Sequence, residues 1–259
     1  MFLAKYQDKW VLAEKNGYFV IENFSWDTVS NFEWDSVNRG KFIELDNFSQ
    51  KIDQVPLPVS TKLICVGRNY ADHAKELGNE VPKEPLLFFK PSSSLLPNNG
   101  LIELPIISEH VDHEVELAII ISKKGKNIPE ENAMDFVFGY TISLDITARD
   151  LQRKDKTWFR GKGFDTFAPV GPWICKPDAI NLDDCEIKLT VNEKLVQRGN
   201  IKDLIFKIPF LLHYISSIVT LNPGDIILTG TPEGVGPIKS EDNLKATIKN
   251  IGTLQVKVK

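Results

Sequence analysis

The sequence predicts an α+β fold that is mostly β, with a small β domain at its N-terminus. Three observations point there. Short runs that alternate in polarity or are wholly apolar recur along the 259 residues, as half-buried and fully buried strands do. Only residues 209–219 show a sustained helical stripe, with Leu211, Leu212, Ile215, Ile218 and Val219 on one side. Helical and strand patterns do not alternate regularly, which excludes a βαβ repeat.

Taken in order, residues 10–13 and 18–21 read as short aromatic-rich strands. Residues 23–30 (NFSWDTVS) are echoed at once by 31–38 (NFEWDSVN), a local duplication too short to build a solenoid. Pro56 and Pro58 mark a linker. The expected division is therefore 1–57 for the N-terminal domain and 58–259 for the main one. Residues 63–66 form an apolar strand, 70–77 a short helix closed by Gly78, and 86–89 a strand stopped by Pro91. Residues 114–122 and 138–146 read as strands entering a core, and 147–152 as a short polar helix. Residues 186–191 and 193–197 suggest a hairpin. Pro209 suits the first turn of the helix that follows it. A turn at 222–225 leads into a buried strand at 226–228, and alternation returns over 244–258.

Composition narrows the function. Hydrophobic residues at 42% and charged residues at 25% are ordinary for a globular chain, so disorder is not expected. With 31 Lys+Arg against 35 Asp+Glu and no basic block, the chain lacks the electrostatics of a nucleic-acid binder. The apolar run at 117–121 is far shorter than the roughly 20 residues of a spanning helix. No secretory leader is legible at the N-terminus. Cys65, Cys175 and Cys185 are odd in number and widely spaced, which suggests reduced thiols in the cytoplasm and no Cys-x-x-Cys zinc site.

The chemistry concentrates in Asp112-His113-Glu114-Val115-Glu116-Leu117. Glu114 and Glu116 are two apart, so a strand places both on one face. Adjacent carboxylates repel unless a cation joins them; the other reading is a solvated strand end. Asp145, closing an apolar strand, adds a third acid of a kind rarely buried without a partner. Three carboxylates select a hard cation, Mg²⁺ first, then Mn²⁺, with Ca²⁺ also accommodated. They leave coordination positions open for a chelating substrate. Four histidines in all make a three-His zinc site a poor fit.

His73 and Glu76 are three apart, neighbours on one helical face. They read either as a general base with its orienting carboxylate or as an exposed ion pair. Lys162 stands between Gly161 and Gly163, where the backbone can approach a ligand closely. The run Thr229-Gly230-Thr231-Pro232-Glu233-Gly234 follows a buried strand, and its hydroxyls and amides suit a carboxylate. Each of these two also reads as a plain turn. No Walker or Gly-x-Gly-x-x-Gly pattern occurs.

Together these stretches resemble the catalytic domain of the fumarylacetoacetate hydrolase family. The motifs that carry the likeness are Val66-Gly67-Arg68-Asn69-Tyr70-Ala71-Asp72-His73, Phe89-Lys90-Pro91-Ser92, His113-Glu114-Val115-Glu116-Leu117, Leu144-Asp145-Ile146-Thr147-Ala148-Arg149-Asp150-Leu151-Gln152 and Leu228-Thr229-Gly230-Thr231-Pro232-Glu233-Gly234-Val235-Gly236. The chain is similar above all to the short acylpyruvase, oxaloacetate decarboxylase and hydroxyheptadienedioate isomerase types. The resemblance implies a mixed β-sheet roll and a homodimer. It implies Mg²⁺ or Mn²⁺ on Glu114, Glu116 and Asp145, and a catalytic His73–Glu76 dyad on a segment that orders as a lid. It places Lys162, Gln152, Gly230 and Thr231 around the substrate, with Arg68 and Arg149 nearby. The family's founding hydrolases carry a further Asp ligand upstream of the His. Residues 63–66 have no carboxylate, which points away from fumarylacetoacetate itself.

The function expected is metal-dependent C–C bond hydrolysis or lysis of small 2-oxo acids, acylpyruvates or oxaloacetate, through a pyruvate enolate. The alternatives are isomerisation or decarboxylation of hydroxymuconate and hydroxyheptadienedioate substrates, and a non-catalytic dicarboxylate binder. Neither nucleic acid nor membrane is an expected partner.

Overall fold

The computed structural model describes residues 1–44, 47–58, 60–76, 78 and 80–259. A mixed sheet of eleven strands runs the length of the molecule. Its spine is Ala168–Cys175, Val137–Leu144, Val115–Ile121, Ile226–Leu228, Leu63–Gly67 and Leu86–Lys90, in that spatial order. All these pairings are antiparallel except Ile226–Leu228 on Leu63–Gly67. A five-stranded sheet packs against it, built from Glu186–Val191, Lys194–Asn200, Asn243–Ile248, Gly252–Val258 and Leu101–Ile102. The main core lies between the two, joining Leu117, Ile119 and Ile121 to Leu189, Ala246 and Leu254. Val115–Ile121 and Val137–Leu144 are buried along their whole length. That is why residues 117–121 read as a continuous apolar run.

The N-terminal strands belong to the same long sheet. Phe2–Tyr6 pairs with Ala168–Cys175, and Lys9–Glu14, Gly17–Ile21 and Phe42–Ile43 extend the sheet outward. The tandem echo forms no strand, only a short 3₁₀ turn at Val29–Asn31. Both copies spend their aromatics on one residue of the main sheet. Phe24 and Trp26 from the first, with Phe32 and Trp34 from the second, surround Phe138, and the Trp34 ring stacks on it at 5.1 Å. Trp34 Nε1 also donates to the Phe138 carbonyl.

Several boundaries differ from the sequence reading. Thr147–Ala148 is extended, because it pairs with Val111 and Asp112, and the helix starts only at Arg149 and runs to Lys154. The second hairpin strand is Lys194–Asn200, beyond the expected end at 197. The amphipathic helix is Ile208–Ile218, with Pro209 in its first turn. The short helix after residue 70 is Ala71–Glu76; Leu77 and Asn79 of the expected lid segment lie outside the described residues. All three cysteines are free and buried. Among the described residues, no helix is long and apolar enough to cross a membrane.

Candidate active site

Sheet register assembles the acids. Val115 pairs with Leu144 and Glu116 with Ser143, so Glu114 and Asp145 meet just past the pair, where the Asp145 amide donates to the Glu114 carbonyl. One oxygen from each of Glu114, Glu116 and Asp145 lies within 4.8 Å of the other two. All three residues are buried and line one cavity of about 240 Å³. That is below the roughly 300–1,000 Å³ of sites for drug-sized ligands, so the ligand is small.

The cations around them are unevenly shared. Lys162 Nζ donates to Glu114 Oε2 at 2.7 Å and Asp145 Oδ2 at 2.6 Å. Arg149 Nη2 reaches Glu114 Oε1 at 2.5 Å, and Lys90 Nζ reaches Asp145 Oδ1 at 2.5 Å. Glu116 is 2% exposed, and among the described residues no Lys or Arg pairs with it. It accepts one hydrogen bond, from the Gly230 amide at 2.7 Å. Burial, and then the charges of Asp145 and Glu114, push the Glu116 carboxyl well above the usual carboxylate range. Burial opposes ionisation of Glu114 too, but Lys162 and Arg149 outweigh it and hold that group well below the range. A buried carboxylate without a countercharge, beside two further carboxylates, is a donor set that fits a hard divalent cation. Glu114, Glu116 and Asp145 would hold it.

The lysines divide in the same way. Burial lowers Lys90, with Asp145 resisting; for Lys162, Asp145 and Glu114 together overcome burial and raise it. Lys162 therefore remains an ammonium in the cavity, over the Phe88 ring at 5.1 Å.

The structure brings the other predicted residues to the same place. Arg68, His73, Arg149, Gln152, Lys162 and Thr231 all line the cavity. His73 is buried, and its Nδ1 lies 3.3 Å from Glu76 Oε2. Glu76 in turn accepts the Gly234 amide at 3.0 and 3.2 Å, which ties the dyad helix to the loop carrying Thr231. Gly230 does not line the cavity; its amide is committed to Glu116. Its φ of +101° and the 2.8 Å separation a Cβ would have from Asn69 Cβ require glycine. Gly161 acts between helices instead of toward a ligand: a Cβ there would meet Gln152 at 2.8 Å.

Sequence reasoning left other functional neighbours unassigned. Lys90, in the Phe89-Lys90-Pro91-Ser92 motif, gains its place in the site only through its contact with Asp145. Asp112 accepts Arg149 Nε at 2.8 Å and contacts His110 Nε2 at 2.8 Å, fixing the guanidinium that holds Glu114 and Gln152. Gln197 accepts the Val115 amide and faces His113 Nδ1, while its Nε2 donates to Thr231 Oγ1 at 2.8 Å. It thereby links the acid-bearing strand to the loop that carries Thr231. Phe88 and Trp158 wall one side, their rings 5.2 Å apart. Arg153 also lines the cavity, on the helical face of Arg149 and Gln152, and the i, i+4 spacing from Arg149 was the available signal.

Fold and site together describe an enzyme with a carboxylate-rich centre in a small cavity. The chain belongs to the fumarylacetoacetate hydrolase family: residues 62–259 match the fumarylacetoacetate (FAA) hydrolase C-terminal family. It is 50% identical over 202 residues to the mitochondrial oxaloacetate tautomerase FAHD1 of Arabidopsis thaliana, covering 76% of this chain and 91% of that protein. Among solved structures it resembles the 5-carboxymethyl-2-hydroxymuconate delta-isomerase of Mycobacterium smegmatis, at 38% identity and TM-score 0.84, over 100% of this chain and 98% of that one. It also resembles the fumarylpyruvate hydrolase of Pseudomonas aeruginosa in complex with Mn²⁺ and pyruvate, at 36% identity and TM-score 0.73, over 78% and 90%.

Proposed function

We propose that this enzyme cleaves a C–C bond of small 2-oxo acids, acylpyruvates or oxaloacetate, and that it needs a divalent cation, Mg²⁺ or Mn²⁺. The observation that carries the reading is Glu116, a buried carboxylate lacking a countercharge in the cavity that also holds His73 and Lys162. When bound, the cation supplies positive charge to the substrate's carboxylate and 2-oxo oxygens.

The chain's own groups do the rest. Lys162 directs its ammonium into the cavity, where negative charge develops on the enolate oxygen. His73, oriented by Glu76, takes a proton from the water that attacks an acyl carbonyl. Arg149 holds the Gln152 amide at 2.7 Å, and Gln197 holds the Thr231 hydroxyl; both are set as hydrogen-bonding partners for substrate oxygens. Phe88 and Trp158 exclude water from one side. Loss of CO₂ from oxaloacetate leaves the same enolate and needs no attacking water.

A second reading, isomerisation or tautomerisation, uses the same site with His73 moving protons at the enol. It is favoured by the burial of the His73 ring in the cavity wall and by what the Arabidopsis and M. smegmatis proteins are named for. We further propose a cytoplasmic homodimer; three buried, unpaired cysteines suit a reducing compartment.

The test is a side-by-side assay of oxaloacetate, acetylpyruvate, fumarylpyruvate and a hydroxymuconate-type diene with wild type and His73→Ala. Hydrolysis of acylpyruvates is expected to fall about 10²–10⁴-fold in the variant, and decarboxylation much less. Equal losses on both would remove the water-activating role and leave the proton-shuttling one.

A further inference from the structure

Two guanidiniums at this cavity have no acid paired with them among the described residues. Arg68 and Arg153 both line it, and among the described residues neither forms an ion pair. The other cations here are spoken for: Lys90 by Asp145, Lys162 by Asp145 and Glu114, Arg149 by Glu114 and Asp112. Arg160, in the same stretch as Arg153, is clamped by Asp155 at 2.6 and 2.8 Å. Asp150 does not serve Arg153 either, because its carboxylate is taken by Ser108 and the amides of Glu109 and Leu151.

Their placement is built, not incidental. Arg153 lies one turn beyond Arg149 in the helix Arg149–Lys154, so it shares the face that carries Arg149 and Gln152 into the site. Arg68 follows the strand Leu63–Gly67 with a φ of +57°, a conformation uncommon for a side-chain-bearing residue. Its guanidinium stands 5.9 Å from the centre of the Trp158 ring, which also packs on Phe88. The aromatic platform holds a planar cation without cancelling its charge. The acids are gathered on one side of the cavity, and two free guanidiniums remain.

We propose that Arg153 and Arg68 form a subsite for a second carboxylate, so that Arg153 makes this enzyme select dicarboxylic over monocarboxylic 2-oxo acids. The inference rests on the 2-oxo acid reading and narrows it. The carboxyl-2-oxo end of the substrate lies toward Glu114, Glu116 and Asp145. The far carboxylate meets Arg153 at the mouth, where the planar fork of a guanidinium suits it. Arg153 is exposed, so its contribution is moderate and falls with added salt.

Calorimetric titration in the presence of Mn²⁺ tests this without turnover. The probes are 2-oxoglutarate and 2-oxopentanoate, which differ only in the distal carboxylate, and oxalate, which has only the chelating end. Wild type is expected to bind 2-oxoglutarate about tenfold tighter than 2-oxopentanoate. Arg153→Gln is expected to remove most of that preference while leaving 2-oxopentanoate and oxalate unchanged. Arg153→Lys should restore part of it. No binding of any probe, oxalate included, would overturn the reading of the site and this inference with it. Oxalate binding with no preference in wild type, or with a preference untouched by Arg153→Gln, would overturn the inference alone.

Discussion

Glu116→Gln should make the metal-free protein more stable while removing its response to metal. Three carboxylates with oxygens within 4.8 Å repel pairwise by about 3.5 kcal/mol at an effective dielectric near 20. Glu114 and Asp145 are compensated by Lys162, Lys90 and Arg149; Glu116 is not. Metal-free Glu116 either bears that repulsion as a carboxylate or holds a proton at a cost, and the glutamine, which keeps an oxygen for the Gly230 amide, removes either penalty. Because the neighbouring cations already offset part of the repulsion, the realised gain is about 1–2 kcal/mol. At about 2–4 °C per kcal/mol for a chain of this size, Tm should rise by roughly 2–8 °C in EDTA. Wild type at Mn²⁺ one hundred times its Kd should gain about 2.7 kcal/mol, and the variant very little. Thermal unfolding of both proteins in EDTA and in Mn²⁺ is the assay. The order of stability should reverse between the two conditions. A variant less stable than wild type in EDTA, or one that responds to Mn²⁺ equally, would refute the argument that Glu116 is the uncompensated ligand.

Further outcomes concern the supporting structure. Gln197→Met strands the Val115 amide, His113 and the Thr231 hydroxyl; a loss of about 2–4 kcal/mol follows, read as a lower urea midpoint together with a raised KM. An unchanged midpoint would show these groups find other partners. The proposed division at 57/58 is crossed by the long sheet, so deleting residues 1–57 uncovers Phe138 and leaves Ala168–Cys175 without the Phe2–Tyr6 pairing. The fragment is expected to aggregate, and a soluble, active 58–259 fragment would show that the larger unit folds alone. Phe138→Ala in the full chain is expected to cost about 3–5 kcal/mol, measured by chemical unfolding.

What was legible in the sequence follows the range of each interaction. Glu114 and Glu116 could be read together because a strand repeats every two residues, and His73 with Glu76 because a helical turn joins them. The strands of the central sheet were visible because they are buried along their length and so mostly apolar, Glu116, Thr141 and Ser143 being the polar exceptions in the two central ones. Lys90 meets Asp145 across 55 residues, and Gln197 meets His113 across 84. Only the sheet order brings those pairs together, and no local periodicity encodes it. Residues 147–148 misled for a related reason: their extended state is imposed by pairing with Val111 and Asp112, which outweighs local helical preference. The tandem echo was seen as a repeat, but its purpose, enclosing Phe138 with four rings, needed the fold.

In the proposed function the three buried acids hold a divalent cation on which 2-oxo acid chemistry depends. The most direct measurement is the turnover of oxaloacetate and fumarylpyruvate by protein stripped with EDTA, then titrated with Mn²⁺ or Mg²⁺ while bound metal is counted. Activity should vanish on stripping and return in step with one ion per chain, and Glu116→Gln should recover neither the ion nor the rate. Full activity in the chelated protein, or bound metal that leaves both rates unchanged, would contradict the account.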